Sequence, residues 1–196
     1  MNNISMENKT LENTIRDMLS DRGVKAESFD TVGNAMESSR MYTFGGVLII
    51  DSERTRITAQ EFGNVVQFVN ENGYNGGVII LTPSRPSVSI LSLLRAYISQ
   101  KENQLIQIFY KPNLNFSYAR HRKVPNHRIL SQEEIDDVMK EYNITKLTSL
   151  PKIDSQDAMA KWIGARPGDV VEITGMCVGS GENKRYRYCL ANVTET

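Results

Sequence analysis

The chain has 196 residues, a length that holds one compact domain or two small ones, either able to bury a workable core. Its 23 basic and 23 acidic side chains cancel, which excludes a strongly basic nucleic-acid coat and leaves room only for a local basic patch. The most apolar helical run, VSILSLLRAYI, is too short to cross a bilayer and carries Arg95, and no cationic start precedes a long apolar segment, so an intracellular protein with no membrane partner is expected.

From Thr10 to Arg22 the apolar positions Leu11, Ile15, Met18 and Leu19 fall on one helical face, with Thr10 placed to cap the start and Gly23 to stop it. A polar stretch ends near Arg40, and GGVLIID then reads as a buried strand because its apolar residues run without alternation. Thr58 and Glu61 have capping-box spacing ahead of a stripe of Phe62, Val65, Val66 and Val69 that ends at Gly73. GVIILTP repeats the buried-strand signature, a helix carrying Val88, Leu91, Leu94 and Ile98 follows, and NQLIQIFY is a third strand. This order implies a small α/β layer, mostly parallel or mixed, with right-handed crossovers available.

NLNFSYARHRKVPNHR, residues 113–128, has no stable periodicity and reads as a connector, which sets a boundary near Tyr118 and two units, 1–117 and 118–196. Beyond it Ser131 and Glu134 form another capping box, opening a helix with Ile135, Val138, Met139 and Tyr142 on its apolar face. Pro151 stiffens an extended entry, Asp154 or Ser155 is placed to cap a short helix bearing Ala158, Trp162 and Ile163, and Gly164 suits a left-handed exit. After a turn at Pro167 and Gly168, VVEIT and RYRYCLA form a hairpin across GMCVGSGENK, where Asn183 and the glycines permit positive φ. The second unit is thus α+β and short of core for its size, a composition that favours leaning on a partner.

Chemistry-bearing residues are sparse. The turn TPSRPS, residues 82–87, offers hydroxyls, backbone N–H groups and Arg85 to an anion, although an ordinary proline-rich helix start explains it as well. Asp51, at the end of a buried strand, is the one residue suggesting a metal-dependent nuclease site on the first unit, and it lacks companion carboxylates in the adjoining strand. RHRK at 120–123, extended by His127 and Arg128, can track phosphates or be a solvated connector. Trp162 reads as a core anchor, and Cys177 and Cys189 as reduced packing thiols in a C-terminal sheet. His121, His127 and the two cysteines lack the close spacing of a structural zinc site, so no metal or cofactor is expected.

The segment LPKIDSQDAMAKWIGARPGDVVEI nevertheless resembles the C-terminal assembly domain of the fifth subunit of eukaryotic RNA polymerases, whose archaeal equivalent is a small polymerase subunit made essentially of this domain alone. The resemblance rests on Leu150, Pro151, Lys152, Ile153, Asp157, Ala160, Gly164, Arg166, Gly168, Val170, Val171 and Ile173, and upstream on Val124, Pro125 and His127. Thr82, Pro83 and Ser84 are similar to the T-P-S-A segment of the eukaryotic N-terminal jaw domain. Three departures stand out: Ala158 where the family usually has proline, Arg85 in place of alanine, and GSGENKRY, which is looser than the usual strand entry.

The resemblance implies a jaw-like α/β first domain, truncated and nuclease-like, plus an α+β assembly domain, together forming a non-enzymatic polymerase subunit. It implies docking on the largest subunit through Pro125, His127, Pro151, Ile153 and Asp157, and contact with downstream duplex DNA through Thr82, Pro83, Ser84 and Arg85. The drift and short first domain resemble a homologue from a large DNA virus, asfarvirus-like, which implies host cytoplasm and virion; a cellular origin implies the nucleus. A nuclease on the first unit and a free-standing scaffold that binds a transcription factor are the readings left open.

Overall fold

The computed structural model describes residues 9–32, 38–74, 76–100, 103–177, 179 and 181–192, with only the backbone at 177. The chain divides into two compact units, Met1–Ser117 and Tyr118–Thr196.

In the first unit, α1 (Lys9–Asp21) precedes the strands β1 (Asp30–Val32), β2 (Ser39–Phe44) and β3 (Val47–Ser52). Then α2 (Ala59–Asn72), β4 (Val78–Thr82), α3 (Val88–Ile98) and β5 (Ile106–Tyr110) alternate. The sheet order is β1-β2-β3-β4-β5, antiparallel over its first two pairings and parallel over its last two. The capping box at Thr58 and Glu61 forms, and Gly73 closes α2 in the left-handed conformation with φ 64°. One sheet face, carrying Leu48, Ile50, Val78, Ile80, Ile106 and Ile108, packs on Phe62, Val65 and Val69 of α2 and on Ile90, Leu94 and Ile98 of α3. On the other face, Arg22 just past α1 donates to the Gln107 side chain at 2.7 Å, and Ile15, Met18 and Leu19 of α1 are fully buried.

Where the polar stretch ends near Arg40, residues Ser39–Phe44 form β2, a strand not expected from the sequence. β2 and β3 form a hairpin through Gly45 and Gly46, whose φ values of 56° and 85° are both positive, the requirement of a two-residue type I′ turn. Thr10 lies inside α1, so it is not that helix's cap.

The second unit holds β6 (Asn126–Ile129), α4 (Gln132–Glu141), β7 (Lys152–Asp154), α5 (Ala158–Ile163), β8 (Val170–Cys177) and β9 (Gly181–Leu190). Its sheet order is β6-β8-β9-β7, with β7 parallel to β9 and the other pairings antiparallel. Each face has its own core. Ile153, Ala160, Ala165, Val171, Ile173 and Cys189 gather on the α5 side, and Leu130, Ile135, Val138, Leu150 and Val170 on the α4 side.

β6 emerges from the stretch read as a connector, because its pairing with Glu172 and its neighbours on β8 supplies the order that four residues lack alone. The expected hairpin of β8 and β9 is present, but the strands run into the expected loop, and Asn183 is a strand residue paired with Gly175. The positive φ falls on Gly181 instead, at 73°.

Candidate functional site

Two surfaces gather the residues singled out in the sequence. In the first unit, the turn leaving β4 and the segment entering α2 face one another across an open cleft of roughly 530 Å³, lined by Thr55, Arg56, Ile57, Ser84, Arg85 and Ser87 among others. β4 ends at Thr82, Pro86 precedes the capping residue Ser87, and α3 begins at Val88, with Ile90 N–H of its first turn donating to Ser87 Oγ at 3.4 Å.

Thr82 is only 2% exposed, and its hydroxyl lies 2.7 Å from the Ser84 carbonyl and 3.2 Å from that of Phe109. Its hydroxyl proton is thus engaged in shaping the turn, while Thr82 itself lines the floor of the cleft. Pro83 and Ser84 are half-buried and Arg85 is exposed, its guanidinium 5.8 Å from the centre of the Tyr110 ring. Arg56, equally exposed, joins Arg85 in lining the cleft, and neither pairs with a carboxylate among the described residues. Two cations beside serine and threonine hydroxyls suit a phosphate group. Arg56 was illegible as a site residue, since the parallel crossover through α2 is what brings position 56 alongside position 85.

Asp51 is not set up for metal chemistry. Its carboxylate forms an ion pair with the Lys111 ammonium, which also donates to the Ser52 carbonyl at 2.7 Å. Among the described residues no group of three or more His, Cys, Asp or Glu side chains is arranged to hold an ion.

In the second unit, the docking candidates are of unequal kind. His127 Nδ1–H donates to the Pro125 carbonyl at 2.9 Å, and both residues are half-buried at the start of β6. Pro151 is exposed, and its carbonyl accepts from Tyr188 N–H at 2.8 Å, which seats β7 on β9. Ile153, expected at a partner surface, is 7% exposed and packs inside its own unit, because the strand alternation that exposes Lys152 turns Ile153 inward. Asp157 caps α5: its carboxylate accepts from Met159 N–H at 2.8 Å and Ala160 N–H at 3.2 Å. Neither Asp154 nor Ser155 is that cap. Asp154 accepts from Gln156 N–H at 2.7 Å in the turn before it, and the buried Ser155 hydroxyl donates to the Ala191 carbonyl at 3.2 Å.

Gly164 ends α5 with φ 75°, a left-handed exit that favours glycine. Trp162, 1% exposed, meets the ring of Tyr118 edge-on at 4.8 Å, and the Tyr118 hydroxyl donates to the Ala158 carbonyl at 2.9 Å. Punctuation by proline, aspartate and glycine thus serves to make a short strand, a capped helix and a turn in succession.

Electrostatics on the α4 side are built around Arg128, which reaches Glu134 at 2.5 Å and the nearly buried Glu172 at 3.0 Å. The Ser131 backbone N–H and then Arg128 hold the Glu134 carboxyl down to about 2. Burial, reinforced by the carboxylates of Asp169, Asp154 and Asp157, pushes the Cys189 thiol up to about 12, leaving it protonated and inert. The RHRK run lies exposed in the turn before β6.

The second unit is shared with known proteins. Residues 116–189 match the family described as RNA polymerase Rpb5, C-terminal domain. The DNA-directed RNA polymerase subunit Rpo5 of Archaeoglobus fulgidus is 43% identical over 74 residues, covering 38% of this chain and 96% of the relative. The Rpo5 subunit of Aeropyrum pernix is 45% identical over 71 residues, covering 36% of this chain and 78% of the relative. That of Methanosarcina acetivorans is 46% identical over 72 residues, covering 37% and 91%. The chain belongs to the Rpb5/Rpo5 family of DNA-directed RNA polymerase subunits. Residues 1–115 lie outside the family match.

Proposed function

We propose that the chain works as a non-catalytic subunit of a multisubunit DNA-directed RNA polymerase, with unit 118–196 as its assembly domain on the largest subunit and unit 1–117 as a jaw beside downstream duplex DNA. One observation carries this reading: 43% identity runs over 96% of a named polymerase subunit. The docking surface is made by Pro125 and His127 at the β6 edge of the sheet and by Pro151 at the β7 edge, with Ile153 supporting it from inside and the exposed Asp157 fixing the start of α5. Asp51, on which a nuclease reading depends, is neutralised by Lys111, so phosphoryl transfer belongs to other subunits.

On the jaw side, Ser84, Arg85 and Arg56 meet phosphates, while Thr82 and Pro83 hold the turn in shape. A neutral chain with two such arginines binds DNA weakly alone, and the assembly strengthens the contact by raising the local concentration of duplex. Location follows the enzyme: host cytoplasm and virion for a viral polymerase, the nucleus for a cellular one. Among the described residues no helix is long and apolar enough to cross a membrane.

Affinity purification of the tagged full chain from its native source tests the reading. Stoichiometric recovery of large polymerase subunits is expected, and recovery of the chain alone overturns it.

A further inference from the structure

β9 is ten residues long, yet β7 covers it only from Tyr188 to Leu190. On that side Tyr188 N–H donates to the Pro151 carbonyl and the Leu190 carbonyl accepts from Ser155 N–H, both at 2.8 Å. Backbone groups of alternate strand residues point the same way, so the N–H and C=O of Glu182, Lys184 and Tyr186 also point to this edge, and among the described residues no strand lies there. The intervening residues Gly181, Asn183, Arg185 and Arg187 face β8, whose partners are Cys177, Gly175, Ile173 and Val171. Gly181 to Arg185 are all exposed.

An edge of this length is a template for another strand, and folded proteins ordinarily shorten, bulge or cover such edges. We propose that the β9 edge from Glu182 to Tyr186 accepts an extended segment of another polymerase subunit as an added strand, one carrying acidic side chains on the α5 side of the sheet. The proposal rests on the polymerase-subunit reading above and names where its docking makes backbone contact.

Three features select this occupant. The site continues directly from Pro151, where β7 begins, so an added strand lies in line with β7 and extends the docking surface on that edge. Side chains alternate across the strand: Tyr186 and Tyr188 pack toward α4, and Cys189 toward α5, which places Arg185 and Arg187 on the α5 side. Neither arginine pairs with a carboxylate among the described residues; Arg187 donates to the Lys152 carbonyl, at 3.0 Å. Acidic side chains at alternate positions of the added strand complete both cations.

Hydrogen exchange read at single amides, on the free chain and on the assembled polymerase, tests this. The amides of Glu182, Lys184 and Tyr186 are expected to exchange freely in the isolated chain and slowly in the enzyme, while those of Asn183, Arg185 and Arg187 are protected in both. Lys184→Pro removes one edge N–H without touching a bond to β8, and is expected to lower incorporation by roughly tenfold, the worth of one or two interfacial hydrogen bonds. Lys184→Ala, which keeps the N–H, is expected to incorporate normally.

If the chain enters the polymerase with those three amides still exchanging freely, water is the edge's only neighbour and this proposal alone falls. Protection that rises with the concentration of free chain identifies a second copy as the occupant and overturns it too. Failure to enter any polymerase sinks the parent reading instead.

Discussion

The backbone N–H of Tyr188 donates to the carbonyl of Pro151 at 2.8 Å, and the neighbouring Ile153 then packs 7% exposed against Cys189 and Ala160. Of Pro151 and Ile153, two positions apart, one is therefore surface and the other core. Pro151→Ala keeps the carbonyl and so the bond, and is expected to leave the melting temperature of unit 118–196 nearly unchanged while weakening recovery with polymerase. Ile153→Asp buries a carboxylate in an apolar cluster and is expected to cost about 3 kcal/mol or more. The chain's single tryptophan, Trp162, sits in this unit, so its fluorescence reports that unit's unfolding alone.

Trp162 is itself the largest fully buried side chain, held by the edge of Tyr118. Trp162→Phe removes part of that contact and is expected to destabilise the second unit by ~2 kcal/mol, less than the roughly 3 to 5 kcal/mol of truncation to alanine. Circular dichroism of urea unfolding measures the difference, and equal losses for both variants contradict the packing described.

The Cys189 thiol, pushed up to about 12 by burial, is expected to resist iodoacetamide near neutral pH in the folded chain and to react once urea unfolds it. Mass spectrometry of the peptide spanning Cys189 reads both states. Rapid labelling of the folded protein contradicts the burial.

Glu134 closes the capping box of α4 through the Ser131 N–H at 2.8 Å, with its carboxyl held down to about 2. Its folded value lies below the ordinary one, so its stabilisation is complete above the ordinary carboxylate range near about 4.3 and is lost as pH falls toward about 2. The α4 amides are expected to exchange faster across that window, and Glu134→Gln, which keeps a hydrogen-bond acceptor but no charge, is expected to flatten the pH dependence. Ser131→Ala removes the cap itself and is expected to cost ~1 kcal/mol at neutral pH.

Arg56 and Arg85 share the cleft in the first unit. In the assembled polymerase, changing either to alanine is expected to weaken contact with downstream duplex about equally across DNA sequences, and to reduce the slope of affinity against salt by about one. Unchanged salt dependence in the double variant removes this turn from the DNA path.

What the chain encodes locally was legible without a structure. The capping boxes at Thr58 and Ser131, the left-handed exit at Gly164 and the buried runs of β3, β4 and β5 each depend on residues within a few positions of one another. The motif around Pro151 and Gly168 was enough to point to the polymerase family for the same reason: it is a dense run of backbone punctuation. β1, β6 and β7 span only three or four residues, too few for a period-two signal, and they exist because Met41, Ile173 and Cys189 stand opposite to pair with them. Only the tertiary structure could bring Arg56 beside Arg85, turn Ile153 inward, and leave the far edge of β9 without a neighbouring strand among the described residues. Those outcomes depend on which strand lies beside which, and hydrogen bonds between segments distant in the chain leave no trace in composition or spacing.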